Sequence, residues 1–212
     1  VTANGQIDKA LLIPAYQNVK AARGGEAAAD WLLAHLPNRD ASTLAYLHLF
    51  AYALGACEVQ WILPIPEGGE EIVENLWLMR VAAVARDSAG TPEQRAALRA
   101  RFAPAGPHRY RHFGRLLLGM ESADSVLALP LDHRAQGEAY YYIGLWCQAQ
   151  GDYRAAAEWY ARCLDLNVWN NGEHHWAMAQ LDRWAARNRT LERVAAEDHR
   201  APRPAKAAPR AI

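Results

Sequence analysis

The stretch from Tyr140 to Tyr160, YYYIGLWCQAQGDYRAAAEWY, is strongly apolar yet carries Gly151-Asp152 in its middle. Gly137, Tyr140, Ile143, Gly144 and Cys147 recur at helical spacing and make one stripe. Gly151 fits the end of that helix, because glycine accepts the left-handed backbone that closes a last turn. Asp152 fits the start of the next, since its carboxylate can accept from the free amides of a new first turn. Ala156, Tyr160, Cys163 and Leu164 then share a face of the second helix. The pause is read as a tight turn between two antiparallel helices. Gly144 and Ala156 are small where those helices are expected to cross, and a larger side chain there would overpack.

The same form extends both ways. After a turn at 167–172, EHHWAMAQLDRWAAR places Trp176, Ala177, Leu181 and Trp184 on one face. Upstream, HRYRHFGRLLLGMESADSVLAL ends a helix at Gly119-Met120 and starts a short one at Ser122. Thr91-Pro92-Glu93-Gln94 is a helix start, with a Thr cap, Pro in the first turn and Gln three residues after the cap. ILPIPEGGE at 62–70 is the linker candidate. Residues 6–57 read as three helices, the first kinked or shortened at Pro14 and the third over 42–56. The expected organisation is therefore degenerate hairpins over 1–61, a linker at 62–70 and a hairpin array over 71–194 whose best repeat is 137–170. A disordered Ala/Pro/Arg-rich tail over 195–212 completes it. The expected fold is all-α, with about ten helices in antiparallel pairs forming a right-handed superhelix.

Composition narrows the function. Lys plus Arg and Asp plus Glu number 23 each in 212 residues, and no long basic run occurs, which argues against nucleic acid as the main partner. Eight Trp and nine Tyr against three Phe suit helix seams and grooves where one end of a ring stays wet. Cys57, Cys147 and Cys163 lie far apart without metal-ligand spacing and read as buried free thiols. The N-terminus lacks a signal-peptide pattern. One local feature stands apart: the uncharged stretch 41–57 ends in Leu54-Gly55-Ala56-Cys57, close to a lipoprotein cleavage box. Two readings follow, a lipidated Cys57 or a buried helix.

The 137–170 spacing resembles the tetratricopeptide repeat, a helix–turn–helix unit of about 34 residues. Tyr140 stands at its large position, Ile143-Gly144 at its Leu-Gly pair, and Gly151-Asp152-Tyr153 at its turn. Ala156 stands at its small position, Tyr160 at its aromatic, and Cys163-Leu164 near its end. Val168 replaces the usual closing Pro. More narrowly, residues 70–187 resemble the NlpI family of bacterial tetratricopeptide lipoproteins. Asn75-Leu76-Trp77-Leu78, Phe113-Gly114, Tyr141-Tyr142-Ile143-Gly144, Leu166-Asn167-Val168 and Glu173-His174 carry that likeness. The resemblance implies an adaptor of the periplasm and cell envelope, homodimeric, that brings cell-wall hydrolases to a processing protease. The sequence departs from that family in having no lipidation box at its own N-terminus, which counts against membrane anchoring.

No catalytic residues are singled out: no phosphate-binding loop, nucleophile elbow or H-E-x-x-H occurs. His108 and His112 are four apart, and His174-His175 follow Glu173, but a dedicated metal site needs further ligands. No metal and no small-molecule cofactor is expected. A metal-dependent helical enzyme using His108, His112, His174 and His175 is the weaker alternative, beside a structural subunit of a larger complex. The arginines at 95, 99, 101, 109, 111 and 115 read as a solvated helix face or a docking patch for an acidic partner. The favoured reading is a scaffold that holds a protein or extended peptide along a concave face. Glu138, Tyr141, Leu145 and Gln148 are expected to line that face, followed by His175, Asp182 and Arg183.

Overall fold

Several of the helices begin with a side chain that satisfies free amides. Asp152 Oδ1 accepts from the Ala155 N–H at 3.0 Å, and Asp132 Oδ1 from the Ala135 N–H at 2.8 Å. Thr91 and Gln94 form a reciprocal capping box, Thr91 N–H to Gln94 Oε1 at 2.8 Å and Gln94 N–H to Thr91 Oγ1 at 3.3 Å. Ser122 Oγ accepts from the Ser125 N–H at 3.1 Å, starting the short helix. Gly151, at φ 83°, closes the preceding helix in the left-handed conformation.

The computed structural model describes residues 8–36, 39–67 and 71–200, with 190–200 described through their backbone alone. The chain is all-helical there. The elements are α1 Lys9–Arg23, α2 Gly25–Ala34, α3 Ala41–Ala53, α4 Val59–Ile62, α5 Glu71–Asp87 and α6 Pro92–Phe102. They continue with α7 Arg109–Leu117, α8 Ala123–Leu127, α9 His133–Ala149, α10 Tyr153–Asp165 and α11 Gly172–Arg200. Eleven helices stand among the described residues where about ten were expected, 59–62 forming a short helix of its own. Among these residues no helix is long and apolar enough to cross a membrane.

Some boundaries move. Helix α1 runs through Pro14 and ends at Gly24 rather than stopping at the proline. The third helix ends at Ala53, and Gly55 at φ 76° turns the chain so that Cys57 is buried. The 62–70 linker begins inside α4, and residues 68–70 lie outside the described residues. The tail expected over 195–212 divides: α11 continues through Arg200, and 201–212 lie outside the described residues.

Longer helices pack in succession: α3 on α5, α5 on α7, α7 on α9, α9 on α11. The α9/α10 pair is the tightest. A Cβ built on Gly144 would lie 2.7 Å from Tyr160 Cε1 and 3.3 Å from the Ala156 carbonyl, so the small residues meet where their spacing placed the crossing. One apolar core gathers α5, α7, α9, α10 and the start of α11, and it takes in Tyr52 of α3. A second core, formed by α1, α2, α3 and α4, holds Leu12, Ile13, Tyr16, Leu32 and Leu47.

Contacts also skip along the array. Tyr52 of α3 meets Tyr141 of α9 hydroxyl to hydroxyl at 2.8 Å, and its ring lies edge-on to Trp176 of α11 at 4.8 Å between centroids. Helix α5 touches α9 directly as well. These contacts correct the expected open concave face. Tyr141 is 3 % exposed, Leu145 1 % and Glu138 1 %, because α5 and α7 pack against α9 and Tyr52 of α3 reaches Tyr141 on the side that was expected to face solvent. Both sides of α9 are therefore buried.

Candidate functional site: a pocket beneath helix α3

The closure leaves a pocket of about 320 Å³ where α3 stands over α5, α7, α9 and the loop leading into α11. That volume falls at the lower end of the range of about 300–1,000 Å³ that takes small ligands or an anchoring side chain. Tyr46, Phe50 and Trp176 give it aromatic walls. Tyr46 and Phe50 are four apart on α3, and their rings stack at 5.6 Å, so helical spacing alone builds that wall.

Polar groups converge on the same space. Glu138 of α9 receives Arg109 Nε at 2.7 Å and Arg134 Nε at 3.5 Å. Arg109 also donates to the Tyr110 hydroxyl at 2.9 Å and pairs with Glu71. Glu173, in the first turn of α11, accepts from the Tyr142 hydroxyl at 2.9 Å. Burial, reinforced by the negative charge of Glu138, pushes the Glu173 carboxyl up to about 7, against the pull of its backbone amide and Tyr142. Burial likewise pushes the Tyr110 hydroxyl up to about 12, with Glu138 adding to the rise. Asn75 Oδ1 and Asn171 Nδ2 have no hydrogen-bond partner and are closed to solvent, and both residues line the pocket.

The seven residues expected to hold a partner are dispersed. Glu138 lines this pocket. Tyr141 and Leu145 lie in the core instead. Gln148 is half-buried and accepts from the Tyr160 hydroxyl at 2.9 Å, so it braces the α9/α10 hairpin. His175 is exposed, with Nε2 2.8 Å from the Trp169 carbonyl. Asp182 and Arg183 are exposed on α11, where Arg183 borders a separate site with Arg86 and Asp87.

The histidines do not assemble. His112 faces Glu121 at 2.8 Å, while His174 is buried with its ring against Trp169. No group of three or more His, Cys, Asp or Glu side chains placed to hold a metal stands among the described residues. The arginine cluster mostly serves the fold. Arg101 and Arg111 both reach Glu74 Oε1 at 2.6 Å, and Arg115 meets Glu121 and the Ala103 carbonyl. All three cysteines are buried and free, and burial pushes the Cys57 thiol up to about 12.

Asn171, Tyr46 and Phe50 had not been singled out as site residues from the sequence, and Asn75 had been named only for the family likeness. The available signal was an asparagine within the apolar run of α5, beside Leu76-Trp77-Leu78, and a second in a segment read only as a turn. Comparisons with protein-family models, curated proteins and solved structures find no match to this chain.

Proposed function

We propose that the chain is a protein-binding adaptor, a right-handed superhelix of hairpins of the tetratricopeptide kind, that anchors a partner segment in the pocket beneath α3. The alternation of longer and shorter helices supports the superhelical reading, with α3, α5, α7, α9 and α11 packing in turn. The observation that carries the binding role is the pocket itself. Aromatic walls surround buried amide groups that no side chain of the protein satisfies, which is the composition of a binding site. By resemblance, the partners are cell-wall hydrolases or a processing protease of the cell envelope.

Selection of random peptides displayed on phage against the full chain tests this reading. The expected result is enrichment of segments that bind the parent at least about tenfold more tightly than Tyr46→Ala, with an unchanged melt of the variant, since each tenfold step is a modest change in free energy. Failure to enrich any segment, or enrichment of segments indifferent to Tyr46→Ala, would overturn it.

A second reading, a structural subunit of a larger complex, has its own support. Between α10 and α11 an open groove of about 710 Å³ is lined by Tyr153, Ala157, Leu181 and Trp184. Tyr153 is 59 % exposed at its edge.

A further inference from the structure

The pocket beneath α3 holds a negative charge that the protein does not neutralise. Three charged side chains line it, Arg134, Glu138 and Glu173. Glu138 is answered twice, by Arg109 Nε at 2.7 Å and Arg134 Nε at 3.5 Å. Glu173 is 5 % exposed, and no Lys, Arg or His among the described residues forms an ion pair with it. Its Oε1 accepts from the Tyr142 hydroxyl, a neutral donor. Arg134 acts on it more weakly than Glu138 does, and the Arg134 side chain is 55 % exposed, so solvent screens that charge. A buried carboxylate without a cation is unfavourable, and a cation that enters beside it offsets the cost.

The walls suit a cation as well. Glu173 and Trp176 lie three apart near the start of α11, so they share one face of that helix, and both line the pocket. Tyr46 and Phe50 of α3 supply further rings. Aromatic faces attract cations. Tyr46 already does so: Lys9 Nζ of α1 lies 4.7 Å from its ring centroid, although Lys9 is exposed and not part of the pocket lining. The kind of cation follows from Glu173. A guanidinium binds a carboxylate best through both oxygens together, and here Oε1 already serves Tyr142. An ammonium needs a single point of contact, and its methylene stem can lie along the rings.

We infer that this pocket takes a primary ammonium on an apolar stem, in a protein partner a lysine side chain, with Glu173 as its counter-charge. The inference rests on the pocket being the partner-binding site and adds the chemistry it reads. Burial holds the Glu173 carboxyl up to about 7, so the counter-charge is present above that pH and lost below it. Affinity for an ammonium should therefore climb between pH 6 and 8, where lysine stays protonated. Of the groups around Glu173, Glu138 is held between its two arginines, and arginine keeps its charge throughout. Tyr110 of α7 and Cys163 of α10 are pushed up to about 12, and Tyr142 of α9 well above 10, all chiefly by burial. Burial lowers His174, its neighbour on α11, from 6.5.

Three probes test it on the full chain: the N-acetyl N-methylamides of lysine, norleucine and arginine. Norleucine keeps the stem of lysine and lacks the ammonium. Binding is followed by nuclear magnetic resonance, with the Trp176 indole as reporter. At pH 8 the lysine probe is expected to bind about tenfold or more tightly than the norleucine probe, and more tightly than the arginine probe. Its affinity is expected to fall about tenfold by pH 6, as Glu173 takes up its proton, while that of norleucine stays level. Glu173→Gln keeps the size of the side chain and an acceptor for Tyr142. It is expected to bring lysine down to the level of norleucine at both pH values, while the norleucine probe binds as before, which separates lost charge from lost fold. The variant retains every histidine, so a pH slope that survives in it belongs to them. Equal binding of lysine and norleucine, a preference for arginine, a slope that survives Glu173→Gln, or no binding of the lysine probe would overturn the inference. If displayed peptides are selected in a Tyr46-dependent way while the lysine probe gains no preference, the adaptor reading stands and the ammonium selectivity falls. If the lysine probe binds selectively through Glu173 and no peptide is enriched, the selectivity stands and the adaptor reading falls.

Discussion

The α9/α10 hairpin closes over an absence of side chain, whereas α3 closes on α9 and α11 by filling space with rings. At the hairpin, Gly144 lets the Tyr160 ring and the Ala156 carbonyl approach to distances that any Cβ would violate. At α3, the Tyr52 ring lies against Trp176, its hydroxyl meets that of Tyr141, and the Arg86 guanidinium stacks on it 4.3 Å from the centroid. The first junction joins neighbours along the chain. The second joins residues 89 positions apart. The two should therefore fail under opposite substitutions: added volume breaks one, and removed volume breaks the other.

The largest effect is expected from Tyr52→Ala. It empties a fully buried ring site and strands the Tyr141 hydroxyl, and large aromatic truncations of this kind destabilise by about 3–5 kcal/mol. Urea unfolding measures it, and a loss below about 1 kcal/mol, an ordinary surface value, would mean that α3 is not held through this contact. Next comes Ala156→Leu, which overpacks the hairpin crossing and should destabilise by about 1–3 kcal/mol. An unchanged melting temperature would contradict the close approach at Gly144. The smallest is Asp152→Ala, which removes the cap of α10 and should lower stability by about 1 kcal/mol. Its effect should add to that of Tyr52→Ala if the hairpin cap and the α3 junction act independently, and a double variant checks the sum.

What could be read beforehand follows the same division. The caps at Thr91, Ser122 and Asp152, the left-handed Gly151 and the Gly144–Ala156 crossing all depend on residues within one hairpin. Local spacing encodes such features. The placement of Tyr141 and Leu145 depends on where a distant helix comes to rest, and no periodicity within α9 carries that information. A stripe argument assigns one face of α9 to the core and the other to solvent, and it has no means of noticing that α5, α7 and Tyr52 of α3 cover the second face. The pocket was hidden for the same reason, since its walls come from α3, α5, α7, α9 and the approach to α11. Only Glu138 was placed on it in advance, for a reason that the burial of α9 overturns.

Two buried ionisable side chains, His48 on α3 and Glu173 on α11, respond to proton activity in opposed senses. His48 of α3 sits with Nδ1 2.6 Å from Gln60 Oε1, and burial holds its imidazole down to about 4 from an ordinary 6.5. As pH falls from 6.5 to about 4, the unfolded chain takes up a proton there that the folded chain declines, so stability drops. Glu173 behaves in the reverse sense. As pH climbs from 4.5 to about 7, the unfolded chain sheds a proton that the folded chain retains, so stability drops in that direction. Over the shared interval the two slopes offset, and their joint contribution to the urea midpoint should be nearly level between pH 4.5 and 6.5. Glu173→Gln should uncover the decline toward acid, and His48→Asn the decline toward neutrality. With both titrations intact, the two groups thereby cancel much of each other's effect on stability over that interval, a balance that belongs to neither residue alone.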